Sequence, residues 1–151
     1  MPNLFPIEED IQAQVEATDT FGSVRFGKSW RFDFEKGEFV LTPTGKIAET
    51  SDIEAWLEWC RKALITARYR YPIYSRDYGH EFDNLISRHL NKEGNESEIK
   101  RIVRETLMVD PRTASVDNFN FRWEGDAVYF TCEVTNARSE SRTVGGQVVI
   151  A

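Results

Sequence analysis

The stretch Leu107–Val116, "LMVDPRTASV", marks where one apolar rhythm stops and another starts. Before it, Ile99, Ile102, Val103, Thr106 and Leu107 recur at helical spacing. After it, Phe119, Phe121 and Trp123 alternate with Asn118, Asn120 and Arg122, which is the period of a strand. The helix is predicted to run straight into the strand, and the stop is a proline, not a glycine. Proline pushes the residue before it out of the helical region, so Asp110-Pro111 fixes the direction in which the chain leaves the helix. Arg112 then stands on a rigid corner. Its planar guanidinium suits two parallel hydrogen bonds to a carboxylate, or bonds to helix C-terminal carbonyls. The carboxylate can belong to neighbouring Asp110 or to another polypeptide.

Upstream of the joint the pattern predicts two more helices and a hairpin. "SWRFDFEKGEFVLT" alternates Trp30, Phe32 and Phe34 with Arg31 and Asp33, turns at Lys36-Gly37, and resumes with Phe39 and Leu41. Ser51 and Glu54 have the spacing of a capping box. They precede an amphipathic helix over about Asp52–Ala67, with Ile53, Trp56, Leu57, Cys60 and Leu64 on its apolar face. Phe82, Leu85, Ile86 and His89 predict a second helix stopping near Gly94, and Asn95 with Glu98 repeats the capping signal for the third. Downstream, Glu124-Gly125-Asp126 turns the chain, Val128, Phe130, Cys132 and Val134 alternate, and "TVGGQVVIA" makes a short last strand. Hairpin, three helices, then antiparallel strands in one sheet against the helices is an α+β order.

A chain of 151 residues is expected to hold one domain with a real core. Residues 1–27 stand apart: the first twenty carry Glu8, Glu9, Asp10, Glu16 and Asp19, no base, and Pro2 and Pro6. They predict an extended acidic arm ahead of a single α+β body over 28–151. Cys60 and Cys132 are far apart and in no CxxC pattern, which reads as two buried thiols in a reducing compartment. The start lacks the bases and the long apolar run of a secretion signal. No stretch approaches the ~20 apolar residues that span a bilayer. The sequence therefore predicts a protein made in the cytoplasm, with no membrane partner.

Signals for chemistry are absent. His80 and His89 lie nine residues apart, which points them to opposite faces of one helix, and no cluster completes a metal site. There is no GxSxG, GxGxxG or Walker loop. Neither catalysis nor a cofactor is expected. From Cys60 to Arg76 the chain carries Arg61, Lys62, Arg68, Arg70 and Arg76 with no acid, interleaved with tyrosines. Tyrosine and arginine together supply flat contact area and directional hydrogen bonds, the chemistry of interface anchors. The net charge of −6 argues against a nucleic-acid partner.

Taken together, the Tyr/Arg loop ending in "RDYGHEFDNLI", the helix ending in "VDPRT" and the paired-strand tail resemble the baseplate wedge, sheath-initiator family of contractile phage tails, once labelled lysozyme-like. The family's Glu-Pro-Arg corner is matched by Asp110, Pro111 and Arg112, with an aspartate one methylene shorter, and its aromatic-glycine step by Tyr78-Gly79. "FGKSWRFDFEKGEFVLTPTGK", "EAWLEWCRKAL" and "FRWEGDAVYFTCEV" resemble the PBSX-prophage, XkdS-like branch, so the likeness spans about Phe26 to Thr135. The resemblance implies a structural protein in several copies around the tail axis, assembled in the host cytoplasm and then part of the particle's baseplate. Its partners would be larger baseplate wedge subunits, the tail sheath protein, and hub or tube proteins. Arg112 would face the wedge subunits, with Arg68, Arg70, Arg76, Tyr78 and Gly79 as further contacts. The sheath would add a strand to the last strand, at Val148, Val149 and Ile150. The old family label supplies the alternative, a peptidoglycan-cleaving tail lysozyme, which needs a carboxylate pair that the sequence does not single out.

Overall fold

Leu57, Cys60 and Leu64 follow Trp56 along one face of a helix, and burying that face organises the molecule. The computed structural model describes residues 24–150. The arm expected over 1–27 thus falls mostly outside the described residues. Within them, Phe26 is buried in the core, edge-to-face with Trp56.

Four short strands come first: β1 (Lys28–Trp30), β2 (Phe32–Asp33), β3 (Glu38–Phe39) and β4 (Glu49–Ser51). β2 and β3 form the expected hairpin, Phe32 opposite Phe39, with Gly37 at φ +72° in the turn. Trp30 leaves the hairpin, because β1 pairs instead with β4. β4 runs directly into α1 (Asp52–Ile65). The capping box predicted there does not form: Ser51 makes no side-chain cap bond. Ser51 is held extended by its pairing with Lys28, and Asp52 turns the chain at φ +53°, so the hydroxyl has no route to the first turn.

The second helix is a single 3₁₀ segment, Phe82–Arg88, ended by His89 in the left-handed conformation. α2 (Lys92–Met108) starts earlier than its sequence signal. Asn91 is its cap, accepting from the Gly94 N–H, while Asn95 is buried inside the helix. Gly94 therefore lies in the first turn of α2 and stops nothing.

β5 (Thr113–Glu124), β6 (Ala127–Asn136) and β7 (Ser141–Val149) make one antiparallel sheet in that order. In β5 the buried residue Val116 and the half-buried Phe119, Phe121 and Trp123 fall on opposite parities. A bulge between Asp117 and Asn120, with Asn118 at φ +53°, shifts the register by one and returns the aromatics to the helix side. There Lys92, Lys100 and Arg104 of α2 lie over Trp123, Phe121 and Phe119. α1 and α2 cover the sheet, and the core joins Trp56, Cys60, Ile99, Val103 and Leu107 to Val128, Phe130, Cys132, Val134 and Val144.

Both cysteines are free and buried, as expected. Burial pushes each thiol up to about 12. A thiolate reagent should therefore leave both unlabelled in the native protein and react at the rate of global unfolding. Rapid labelling of either thiol under native conditions would show that the core opens locally.

Candidate docking surface

At the helix-to-strand corner the guanidinium turns inward. Arg112 closes on Asp110 with Nε and Nη2, at 3.0 Å to Oδ1 and 2.6 Å to Oδ2, and Nη1 donates to the Phe26 carbonyl at 2.7 Å. Asp110 Oδ1 also accepts the Arg112 backbone N–H. The carboxylate is buried and the Arg112 side chain is only 15% exposed. This corrects the outward orientation that the family resemblance implies, and matches the local Asp110 alternative. A carboxylate two residues away, on a corner stiffened by exposed Pro111, holds Nε and Nη2, and the distant Phe26 carbonyl takes Nη1. Thr113, next along, accepts from the Trp56 indole at 2.9 Å. The corner thus ties the first described residues, α1 and β5 together.

The Tyr/Arg loop divides into a fixed base and a free tip. At the base, Ala67 and His80 form an isolated parallel bridge. Arg68 Nε donates to the Gly79 carbonyl, and Arg68 also faces Glu81 at 3.9 Å. Gly79 is buried at φ +102°. A ladder of rings, Trp59–Tyr78, Tyr78–Tyr74 and Tyr74–Tyr71, leads from α1 out along the loop. Beyond it Ile73 is 87% exposed, with Tyr69, Arg70, Tyr71, Tyr74 and Arg76 also exposed. Of the expected contacts, Arg70 and Arg76 are on the surface, Tyr78 is half-buried, and Arg68 and Gly79 are structural. Ile73, the most exposed large apolar residue described, carries no sequence signal because "YPIYS" lacks any period. Of the two histidines, His80 packs on Phe82 and its pKa is lowered chiefly by burial, with Nδ1 accepting the Phe82 N–H; His89 is exposed.

β7 is an end strand. One side pairs with β6 over its whole length, and among the described residues no strand pairs with the other. Its glycines are not slack: Cβ atoms there would meet the Phe130 carbonyl at 2.6 Å from Gly145 and the Phe130 ring at 3.0 Å from Gly146. Val148 points into the core, Val149 outward, and Ile150 packs against the core while its N–H donates to Asp126.

Beside β7 lies an open groove of about 660 Å³, walled by Thr143–Gly145 and the β2–β3 hairpin and floored by α1. Glu58 lines it, 5% exposed, with Oε2 bonded to nothing. Such an orphan costs about 1–3 kcal/mol. Burial pushes the Glu58 carboxyl above its ordinary value of 4.5, against the pull of Lys62, Arg61 and the Phe32 N–H. Because the folded value is raised, the stability it contributes is complete below 4.5 and is lost as pH climbs through the folded value. Glu54, Glu58 and Lys62 recur at four-residue spacing, which reads as a solvated stripe; only the hairpin folding over α1 buries Glu58. Among the described residues no group of His, Cys, Asp and Glu could hold a metal, and no helix is long and apolar enough to cross a membrane.

A family model described as "Contractile injection system sheath initiator" matches residues 28–139. The phage-like element PBSX protein XkdS of Bacillus subtilis (strain 168) is 30% identical over 144 residues, covering 93% of this chain and 94% of that one. The fold is similar to that of a chain in the cryo-EM structure of the anti-feeding prophage (AFP) baseplate, 6-fold symmetrised. The TM-score there is 0.51 at 15% identity, covering 83% of this chain and 87% of that one.

Proposed function

Since the chain belongs to the contractile injection system sheath initiator family, as a structural baseplate component, we propose that it links the baseplate core to the first sheath subunits and makes or breaks no covalent bond. The observation that carries this reading is the outer side of β7, with which no described strand pairs. A strand of the tail sheath protein can continue the sheet there through backbone hydrogen bonds. Val149 offers an outward side chain to that strand, while Val148 and Ile150 keep β7 seated on the core. The exposed loop tip, with Ile73, Tyr71, Tyr74, Arg70 and Arg76, meets the larger wedge subunits. It presents aromatic and arginine anchors on a base held by Tyr78 and Gly79. The corner Asp110-Pro111-Arg112 holds that surface in place from within. Several copies arranged around the tail axis, assembled in the host cytoplasm, would set the first ring of sheath.

Ile73→Asp tests the loop. At a site this exposed the change should alter stability by less than about 0.5 kcal/mol. Electron micrographs of particles assembled with it should show the protein missing from baseplates and sheath absent or misplaced. Fully sheathed particles containing the variant would remove the loop from the docking surface.

A further inference from the structure

The groove beside β7 carries an uneven charge. Its lining sets Asp33, Glu35, Glu54 and Glu58 against Arg31 and Arg61, so carboxylates outnumber guanidiniums by four to two. Lys62, one turn along α1 from Glu58 and not part of the groove lining, is occupied elsewhere: its Nζ donates to the Trp30 carbonyl at 3.4 Å and to Ser29 Oγ at 3.5 Å. Glu58 forms no ion pair with any described residue, and its Oε2 has no donor. The terminal torsion of a glutamate is soft and broad, so a small rotation brings that oxygen to the groove surface. An extended segment pairing with β7 would send alternate side chains toward α1. One of them would reach Glu58.

We propose that this groove takes a basic extended segment of the sheath subunit, and that one lysine or arginine of that segment bonds Glu58. The proposal rests on strand addition at β7 and adds what selects the strand. Backbone pairing alone accepts almost any sequence, whereas a buried carboxylate with one oxygen lacking a donor favours a strand that supplies a cation at one register position. A slip of one residue would turn that cation away from α1 and leave the carboxylate unpaired. Glu58 therefore sets register as well as partner.

The test uses the full chain and the purified sheath subunit of the same particle. Binding is measured by titration calorimetry, and hydrogen exchange is followed at the amides of 141–149. The wild type should bind with those amides protected. Glu58→Gln keeps the size and an acceptor but removes the charge; it should bind at least ~10-fold more weakly, while its melting temperature at neutral pH equals or exceeds that of the wild type. Glu93→Gln, an exposed charge outside the groove, should bind as the wild type does. A second readout needs no variant: ¹³C NMR should show the Glu58 carboxyl titrating above the usual glutamate range in the free chain and falling below it when the sheath subunit is added. Protected β7 amides with full affinity for Glu58→Gln, or a Glu58 titration that does not move, would overturn the proposal and leave strand addition standing. Binding without protection of β7 would overturn strand addition itself, and the occupant of the groove with it.

Discussion

Asp110→Ala should lower stability by about 3–5 kcal/mol and the melting temperature by about 10 °C or more. Removing the carboxylate strands a guanidinium that is only 15% exposed and whose remaining acceptor is the Phe26 carbonyl. It also leaves the Arg112 N–H without its acceptor at the start of β5. The loss exceeds the net worth of the pair, because most of it is the penalty of an unpaired charge in a poorly hydrated place. The double variant Asp110→Ala, Arg112→Ala removes that charge as well and should regain part of the loss. Thermal and urea melts of the two variants check this. Equal stability of Asp110→Ala and the wild type would show that the corner is solvated and that Arg112 has acceptors other than these. Particle assembly should then track folding: conditions that restore the fold of Asp110→Ala, such as lower temperature, should restore its incorporation into baseplates.

A second large effect is expected at Gly79. At φ +102° an L side chain is strained by about 1–3 kcal/mol. An alanine Cβ would also stand 2.6 Å from the Thr66 carbonyl and 3.0 Å from the Arg68 amide nitrogen. Both atoms are backbone and both serve the bridge that closes the loop, since His80 N–H donates to Thr66 and Arg68 N–H to His80. The clash cannot be relieved by turning a side chain, so the bridge must open. Gly79→Ala should cost about 3 kcal/mol or more in all. Its signature is local: hydrogen exchange at the amides of Arg68 and His80 should accelerate first, and the loop carrying Ile73 should lose its fixed base. Wild-type melting and exchange for Gly79→Ala would show that the loop tolerates another backbone path.

The corner and the loop tip at Ile73 differ in how far the sequence exposed their roles. Asp110-Pro111-Arg112 announced a stiff corner, because proline restricts its neighbours whatever surrounds them. Its chemistry was legible too: a guanidinium wanting a planar acceptor. Which acceptor it takes was not legible, since Phe26 lies 86 positions away in sequence and reaches Arg112 only when the chain folds around Trp56. Ile73 stayed hidden for a related reason. Its exposure follows from a loop lifted off the body by stacked tyrosines, and such a loop leaves no periodic trace. The capping signals at Ser51 and Asn95 misled because each lost to a competing option, Ser51 to its strand pairing with Lys28 of β1 and Asn95 to an earlier local cap at Asn91.

Taken alone, the sequence determined the α+β order, the two helical faces, the alternation in β6 and the burial of both thiols. These depend on contacts within a few residues, where periodicity and backbone restriction act directly. Tertiary structure decided the inward turn of Arg112, the burial of Glu58 under the hairpin and the position of β7 at the end of the sheet. All three depend on which distant segments meet, and a side chain's charge or hydrogen-bonding state is fixed only by what finally surrounds it.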